Sequence, residues 1–407
     1  MLTFAHQNFS MKILIIANKV PYPPKDGGSI ATLTLARHFS DLGNQVDLLA
    51  MNTSKHYFRL DLLPLNLSRN IRFIGVDTPA LIAPLAALKN LLFSKKAYIA
   101  ERFYTEKFRN RLEELLDEES YDIIQLEGSY MGMYMPSIRS HSRAKVSMRA
   151  HNLEYEIWQR TAENASFLKK FYFANLATRI KKLEVDQLNS FSAMIPITQR
   201  DANALVSLGC KIPMHVTPTG TDVDTSNVDF SSLEFPSVFH IGALDWPPNQ
   251  EGLFWFFEKI WPLVLQKQPQ VKFYLAGRNA PDRIKHLKVK NLVFVGEVDS
   301  AIEFMNSKAI GIVPLLSGSG MRIKIVEGMA LGKVMVTTQI GAEGNPAKDG
   351  EQMMVADQPE EFAKKIISLL ESRELLDKMG QNALSFVKNE FDNKKIAQSL
   401  IDFYQTL

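Results

Sequence analysis

Residues Pro314 to Gly332 read PLLSGSGMRIKIVEGMALG, a glycine-punctuated loop running into a basic helical stretch with one carboxylate, Glu327. Such a stretch is suited to binding phosphate. The apolar run IGIVPL ahead of it predicts a buried strand. The next helix then presents its unpaired N–H groups and the positive end of its dipole to whatever lies beyond that strand. Gly318 and Gly320 let the backbone come close to a ligand. Arg322 and Lys324 fall in the expected first turn, where the dipole disfavours cations unless an anion compensates. Glu327 follows one turn on, within reach of hydroxyls attached to a phosphate held at the helix end. Phosphate, hydroxyls and carboxylate together suggest a nucleotide-sugar. An ordinary strand-loop-helix with solvated charges uses the same residue types, so the reading depends on what surrounds the stretch.

The surroundings are two alternating αβ halves. The first opens with the strand KILIIA, the loop NKVPYPPKDGGS and an amphipathic helix from Ile30 to Leu42 closed by Gly43. Strands QVDLLAM, IRFIGV, DIIQLEG, KVSMRA and AMIPIT follow, separated by helical patterns. A basic, aromatic helical insertion spans Ala80 to Glu119, and another extended helical stretch spans Glu154 to Leu188. The segment TPTGTDVDTSNVDFSSLEFPS lacks apolar periodicity and reads as an interdomain link. The second half runs VFHIGA, a helix from Glu251 to Gln266, VKFYLAG, LVFVGE, a short helix from Ser300, IGIVPL, the Arg322 helix, VMVTT and MMVA, then helices to the end. Strands alternating with helices argue for parallel sheets covered on both faces. The expected fold is α/β with two doubly wound, Rossmann-like domains facing a cleft, over 11–215 and 216–391. In such sheets ligands sit at the carboxyl ends of the strands.

Composition narrows the function classes. The chain has 407 residues, enough for two cores, and a formal charge of only +3 from 47 basic and 44 acidic residues, which argues against a nucleic-acid partner. The single cysteine, Cys210, excludes an intrachain disulfide and a multi-cysteine metal site, and the eight histidines show no HExxH spacing. The start MLTFAHQNFSMK lacks the build of a secretory signal. The most apolar run, Ala80 to Phe93, is broken by Pro84, Lys89 and Asn90 and is too short to span a bilayer. A cytoplasmic protein is expected.

The ordered fragments HIGALDWPPNQEGLFWFFEKIWP, FYLAGR, VFVGEV, VPLLSGSGMRIKIVEGMALGKVMVTT and GAEGNPAKDGEQMMVAD resemble the family 4 glycosyltransferases of the GT-B fold, from Met11 onward. The branch they resemble is common in bacterial surface-polysaccharide synthesis. The resemblance implies transfer of a sugar from a nucleoside diphosphate sugar with retention, with no cofactor and no metal, between a donor-side domain, 216–391, and an acceptor-side domain, 11–215, on which 392–407 would pack back. It implies that Arg322 and Lys324 stabilise the leaving diphosphate and that Glu327 binds ribose hydroxyls. Ser319, Gly320 and Met321 would touch the donor, while backbone at Gly296, Val298, Gly277 and Arg278 would frame the base. His151 would lie against the donor sugar near its reactive carbon. Gly27 and Gly28, as a loop under the sugar, would form the acceptor side with Asn152 and with Glu127, which could either contact the acceptor or brace His151. Two departures stand out: Ser319 occupies the place of a usual glutamate, and the loop ALDWPPNQEG lacks the arginine and lysine many relatives carry.

The acceptor implied is a glycan or a lipid-linked glycan. The stretches LKNLLFSKKAYIAERFYTEKFRNR and FLKKFYFANLATRIKK interleave aromatics with cations, a composition suited to an anionic membrane surface at the inner face. Amphipathic helices packed on the sheet would use the same residues. Two other classes remain open on sequence grounds: a nucleotide-sugar epimerase or hydrolase of the same fold, and a non-catalytic nucleotide-sugar-binding module.

Overall fold

A computed structural model describes residues 10–407, apart from 82, 164, 223, 225–227, 229–232 and 319. The chain divides into two compact units, one comprising the residues up to Pro218 together with Asn393–Leu407, the other Thr219–Asp392.

The first unit is built on six parallel strands: β1 (Lys12–Ala17), β2 (Gln45–Asn52), β3 (Ile71–Asp77), β4 (Ile123–Glu127), β5 (Lys145–Ala150) and β6 (Ala193–Pro196), in spatial order β3-β2-β1-β4-β5-β6. The strands at its centre are buried almost throughout, because helices cover both faces and leave no side of the sheet for water. This is why their sequences are apolar runs rather than alternating patterns. The first helix starts earlier than the periodicity suggests, at Gly27, and runs to Asp41. Asp26 sets that start: its carboxylate accepts from the Ser29 N–H at 3.0 Å and so caps the helix. The expected Gly27–Gly28 loop is therefore the first turn of a helix. The basic insertion resolves into helices Pro84–Phe93, Tyr98–Arg102 and Glu106–Glu118, and the later stretch into Glu154–Glu163 and Phe167–Gln187.

Helix Asn393–Tyr404 completes this unit. It buries Ala397, Leu400 and Ile401 against the β1 side of the sheet. Its Tyr404 hydroxyl donates to Gln125 Oε1 at 2.7 Å and lies 2.8 Å from Ser147 Oγ. An aromatic ring with a partnered hydroxyl can be buried at little polar cost, which holds the last helix in place.

The second unit repeats the plan with β7 (Glu234–Ile241), β8 (Lys272–Ala276), β9 (Leu292–Gly296), β10 (Lys308–Val313), β11 (Val334–Thr337) and β12 (Met354–Val355), in order β12-β11-β10-β7-β8-β9 and all parallel. Strand β7 begins four residues before the expected VFHIGA. Pro236 is tolerated there because the β7–β10 ladder shifts register between Lys308 and Ile310, where the missing N–H is not required. The expected Glu251–Gln266 helix begins at Pro247, with prolines in its first turn where their lost N–H groups would have been unpaired anyway, and it is interrupted by a π-helical turn at Phe256–Ile260. Among the described residues no helix is long and apolar enough to cross a membrane, and no group of three or more metal-ligating side chains occurs.

Candidate active site

In the first unit the chemistry collects where β4 and β5 end. Glu127 is the last residue of β4 and almost fully buried, at 4% exposure. It accepts from the Thr32 hydroxyl at 2.9 Å and from Gln125 Nε2, and its Oε2 lies 2.5 Å from His151 Nε2 and 3.7 Å from Arg149 Nη1. Burial pushes the Glu127 carboxyl up, but the charges of Arg149 and His151 and the hydrogen bonds outweigh it and hold the group down at about 2. An ionised carboxylate only accepts, so His151 must donate through Nε2–H. Its Nδ1 is the nitrogen left for a ligand. His151 follows β5 and is partly exposed, as such a role needs.

Asn152 is also partly buried beside it, but it does not cap the following helix. The Glu184 carboxylate does, accepting from the N–H groups of Glu154 at 3.0 Å and Tyr155 at 3.2 Å. Glu154 in turn accepts from the Tyr130 hydroxyl at 2.8 Å. Burial, with Glu184 nearby, raises the Glu154 carboxyl to about 7 against the opposing effect of the Tyr130 hydrogen bond. Gly27 and Gly28, in the first helical turn, carry negative φ, and a Cβ on Gly28 would meet only ordinary contacts, so no backbone demand explains that glycine.

In the second unit the strand ends meet around Gly242. Helix Ile323–Ala330 begins with Arg322 at its N-cap rather than in its first turn, and Lys324 is its second residue. The Lys324 ammonium donates to Asn249 Oδ1 at 3.1 Å and reaches the Ile241 carbonyl at 3.4 Å. Among the described residues no carboxylate is a hydrogen-bond partner of it. Burial first, and then the neighbouring Arg322 charge, push it down to about 7. A cation so placed lacks an anion. A Cβ built on Gly242 would lie 3.0 Å from Lys324 Nζ, 3.1 Å from Asn249 Nδ2 and 3.5 Å from His240 Nε2, so these polar groups converge on one point that only glycine leaves accessible. His240 is fully buried, and its Nδ1 donates to the Ile312 carbonyl at 3.0 Å. Its Nε2, buried and without a partner among the described residues, is the acceptor at that point.

Around this nook the backbone is unusual where the sequence placed its glycines. Gly318 and Gly320 have φ of +111° and +81°. Arg322 is buried, its guanidinium 5.5 Å from the Trp246 ring, and Trp246 lies beside Gly318. Met321 is partly buried beside them, and Ser319 lies outside the described residues. Glu327 is partly buried one turn below, and burial raises its carboxyl. Gly277 donates its N–H to the Gly296 carbonyl at 2.7 Å, and Arg278 accepts from Leu244 N–H at 2.9 Å, so the loops after β7, β8 and β9 are tied together with Val298 alongside. A Cβ on Gly277 would fall 1.8 Å from the Gly242 carbonyl oxygen, which no side chain survives.

Each unit thus gathers its own share of the expected residues: Glu127, His151 and Asn152 in one; Gly277, Arg278, Gly296, Val298, Gly320, Met321, Arg322, Lys324 and Glu327 in the other. The sequence reading missed Arg149, Thr32 and Gln125 around Glu127, and Asn249, Trp246 and His240 around Lys324. The available signal was a charged or polar residue within an otherwise apolar strand, as in KVSMRA and VFHIGA.

The description "Glycosyltransferase Family 4" matches residues 25–225, and "Glycosyl transferases group 1" matches residues 235–372. This chain is a family 4 glycosyltransferase. The transferase is 25% identical to an uncharacterised 44.6 kDa protein in the cps region of Klebsiella pneumoniae, over 96% of this chain and 98% of that one. It is also 25% identical to a phosphatidyl-myo-inositol mannosyltransferase of Mycobacterium tuberculosis, over 47% of this chain and 53% of that protein. Its structure is similar to that of the Anabaena protein HepE in complex with UDP, with a TM-score of 0.69 and 16% identity over 98% of this chain and all of that one. It is likewise similar to sucrose-phosphate synthase from Thermosynechococcus elongatus, with a TM-score of 0.72 and 17% identity over 97% and 98% of the two chains. At these identities the structural likeness establishes the GT-B fold of the transferase.

Proposed function

We propose that the transferase binds a nucleoside diphosphate sugar on its Thr219–Asp392 unit and passes the sugar, with retention and without a metal, to a glycan or lipid-linked glycan held by the other unit. The setting we infer is bacterial cell-surface polysaccharide synthesis, on the cytoplasmic side of the membrane. The observation that carries the reading is Lys324: a partly buried cation with no carboxylate partner among the described residues, beside a glycine-lined helix start. In the reaction the bond from the anomeric carbon to the diphosphate breaks and one to an acceptor hydroxyl forms, the hydroxyl proton leaving with the diphosphate. Lys324, Arg322 and the N–H groups after Gly320 would meet the charge that develops on the leaving oxygen, each fixed donor contributing about 3 kcal/mol. Glu327 would accept from ribose hydroxyls. His151 would present Nδ1 to the sugar while Glu127, as a positioning residue, holds its ring. Support also comes from HepE, a relative in fold that binds UDP and UDP-glucose, and from the cps-region location of the Klebsiella protein.

Peripheral membrane association is part of this proposal. Leu85, Leu92 and Phe93 on helix Pro84–Phe93 and Phe167 and Phe171 on helix Phe167–Gln187 are each more than 60% exposed, among exposed Lys89, Lys95, Lys96, Lys169 and Lys170. Apolar side chains fringed by lysines suit an anionic bilayer surface.

Calorimetry with a panel of nucleoside diphosphates and their sugars tests the donor assignment. Glu327→Ala should weaken binding of the nucleoside-bearing ligands in a protein that stays folded, and transfer should persist in chelator. Unchanged affinity in the folded variant removes Glu327 from the site, and loss of transfer in chelator that divalent metal restores overturns the metal-free mechanism.

A further inference from the structure

The ends of β1, β2 and β3 open onto a pocket of about 470 Å³ that His151 and Glu127 do not line. Lys19 comes to it from the loop after β1, and Lys55 and His56 from the turn after β2. Arg102 ends the helix Tyr98–Arg102, which closes over the Pro79–Leu81 segment after β3. The polar wall is cationic. Lys19 is paired with Asp26, whose carboxylate oxygens lie 2.7 Å away. Lys55 is exposed and makes no ion pair among the described residues. Arg102 donates one Nη to the Ala80 carbonyl at 2.5 Å, and its Nε is buried with no partner among the described residues. Burial, and then Lys19 and Lys55, lower the proton affinity of the His56 ring, with Asp26 opposing them. Three cations therefore share one carboxylate in a concave site, a surplus that calls for a multiply charged anion. Guanidinium and ammonium donors at a strand-end pocket suit phosphate oxygens.

The remaining wall is apolar and leads outward. Pro79, Leu81 and Phe103 line it, with the Arg102 guanidinium 5.6 Å from the Phe103 ring. Leu81 is 66% exposed and precedes helix Pro84–Phe93, whose exposed Leu85, Leu88 and Leu92 continue in the same direction along the chain. Tyr98 fixes that junction, its hydroxyl accepting from the Ala83 N–H at 2.9 Å and donating to the Ala83 carbonyl at 3.1 Å. The charged pocket is thus joined to an unpartnered apolar helix bordered by lysines.

We infer that this pocket binds the phosphate or diphosphate head of an alkyl-chain carrier, with Lys55 and Arg102 on the phosphate oxygens and the chain leaving past Leu81 toward helix Pro84–Phe93. That the carrier bears the acceptor glycan rests on the transferase proposal above; the binding site itself does not. The site is one strand away from β4, which carries Glu127 and through it His151, so a carrier held there brings its first sugars to the same sheet edge.

The test uses farnesyl diphosphate, inorganic diphosphate and farnesol as probes, titrated calorimetrically into the full chain, Lys55→Glu and Lys324→Met. Farnesyl diphosphate should bind at least tenfold more tightly than either of the other two. Lys55→Glu, at an exposed position, should lose tenfold or more of that affinity, while Lys324→Met should keep it. Equal binding by Lys55→Glu, or a loss confined to Lys324→Met, overturns the site. Inorganic diphosphate binding as tightly as farnesyl diphosphate overturns the lipid part and leaves a soluble phosphorylated ligand. UDP titrated into the same proteins reports on the transferase proposal separately, since it should be lost with Lys324 and kept with Lys55→Glu.

Discussion

Diphosphate binding at Lys324 should take up a proton. In the free protein the Lys324 ammonium is held down at about 7 by burial and by Arg322, with no carboxylate partner to restore it. A diphosphate beside it supplies the missing negative charge and returns the amine toward its ordinary range near pH 10.4. The sign follows from that difference. Below pH 7 the lysine is charged in both states and affinity is at its full value; above pH 7 each binding event must first protonate an amine. At pH 8 about nine-tenths of a proton should be absorbed per diphosphate bound, and affinity should fall about tenfold per pH unit, about 1.4 kcal/mol, up to the bound-state value. From pH 7 to pH 9 the loss is about fiftyfold, because half of the amine is already neutral at pH 7. Neighbouring groups do not mimic it. His240 is kept neutral by burial and by Lys324 itself, and the last proton of the diphosphate is already gone, since a phosphate of this kind loses it near pH 6. Calorimetry of UDP binding in buffers of different ionisation heat measures the proton directly. Lys324→Met, which fills a similar volume, should bind UDP weakly with no uptake and no slope above pH 7. A flat affinity from pH 7 to pH 9 in the unaltered protein, or the same uptake in Lys324→Met, would refute the argument.

Glu127→Ala leaves Arg149 buried without its counter-charge and should cost about 3–5 kcal/mol in urea unfolding, whereas Glu127→Gln should stay folded and lose transfer through a misplaced His151. Full activity of Glu127→Gln would free His151 from that control. Gly277→Ala should destabilise the Thr219–Asp392 unit by more than about 2 kcal/mol, since the added carbon collides with the Gly242 carbonyl oxygen at 1.8 Å; an unchanged unfolding midpoint contradicts that geometry. The protein should sediment with anionic vesicles at low salt and less as salt shortens the reach of charge to about 8 Å. Changing Lys95, Lys96, Lys169 and Lys170 to glutamate should abolish it, and equal sedimentation of that variant would assign these lysines to another partner.

The order of strands and helices was legible in the sequence because a parallel sheet covered on both faces demands apolar runs, and KILIIA, DIIQLE, KVSMRA and IGIVPL are such runs. The glycine loop ahead of helix Ile323–Ala330 was legible for the same kind of local reason: Gly318 and Gly320 occupy backbone that side chains avoid. Helix starts were less legible, since Asp26 and the Pro247–Pro248 pair set them from outside the apolar period. What tertiary structure alone decided is the electrostatics. Nothing within MRIKIVEG says that Lys324 is drawn out of water with no carboxylate among the described residues to hold its charge, because its environment comes from Gly242, Asn249 and His240, some 75 to 84 positions earlier in the chain. Nothing within RAHN says that His151 is oriented by Glu127, itself held ionised by Arg149 and bonded to Thr32, 95 residues before it. Local propensity acts over a few residues and is written in order along the chain. The charge state of a buried group depends on every neighbour that replaces its water, and folding brings those neighbours from several strands at once.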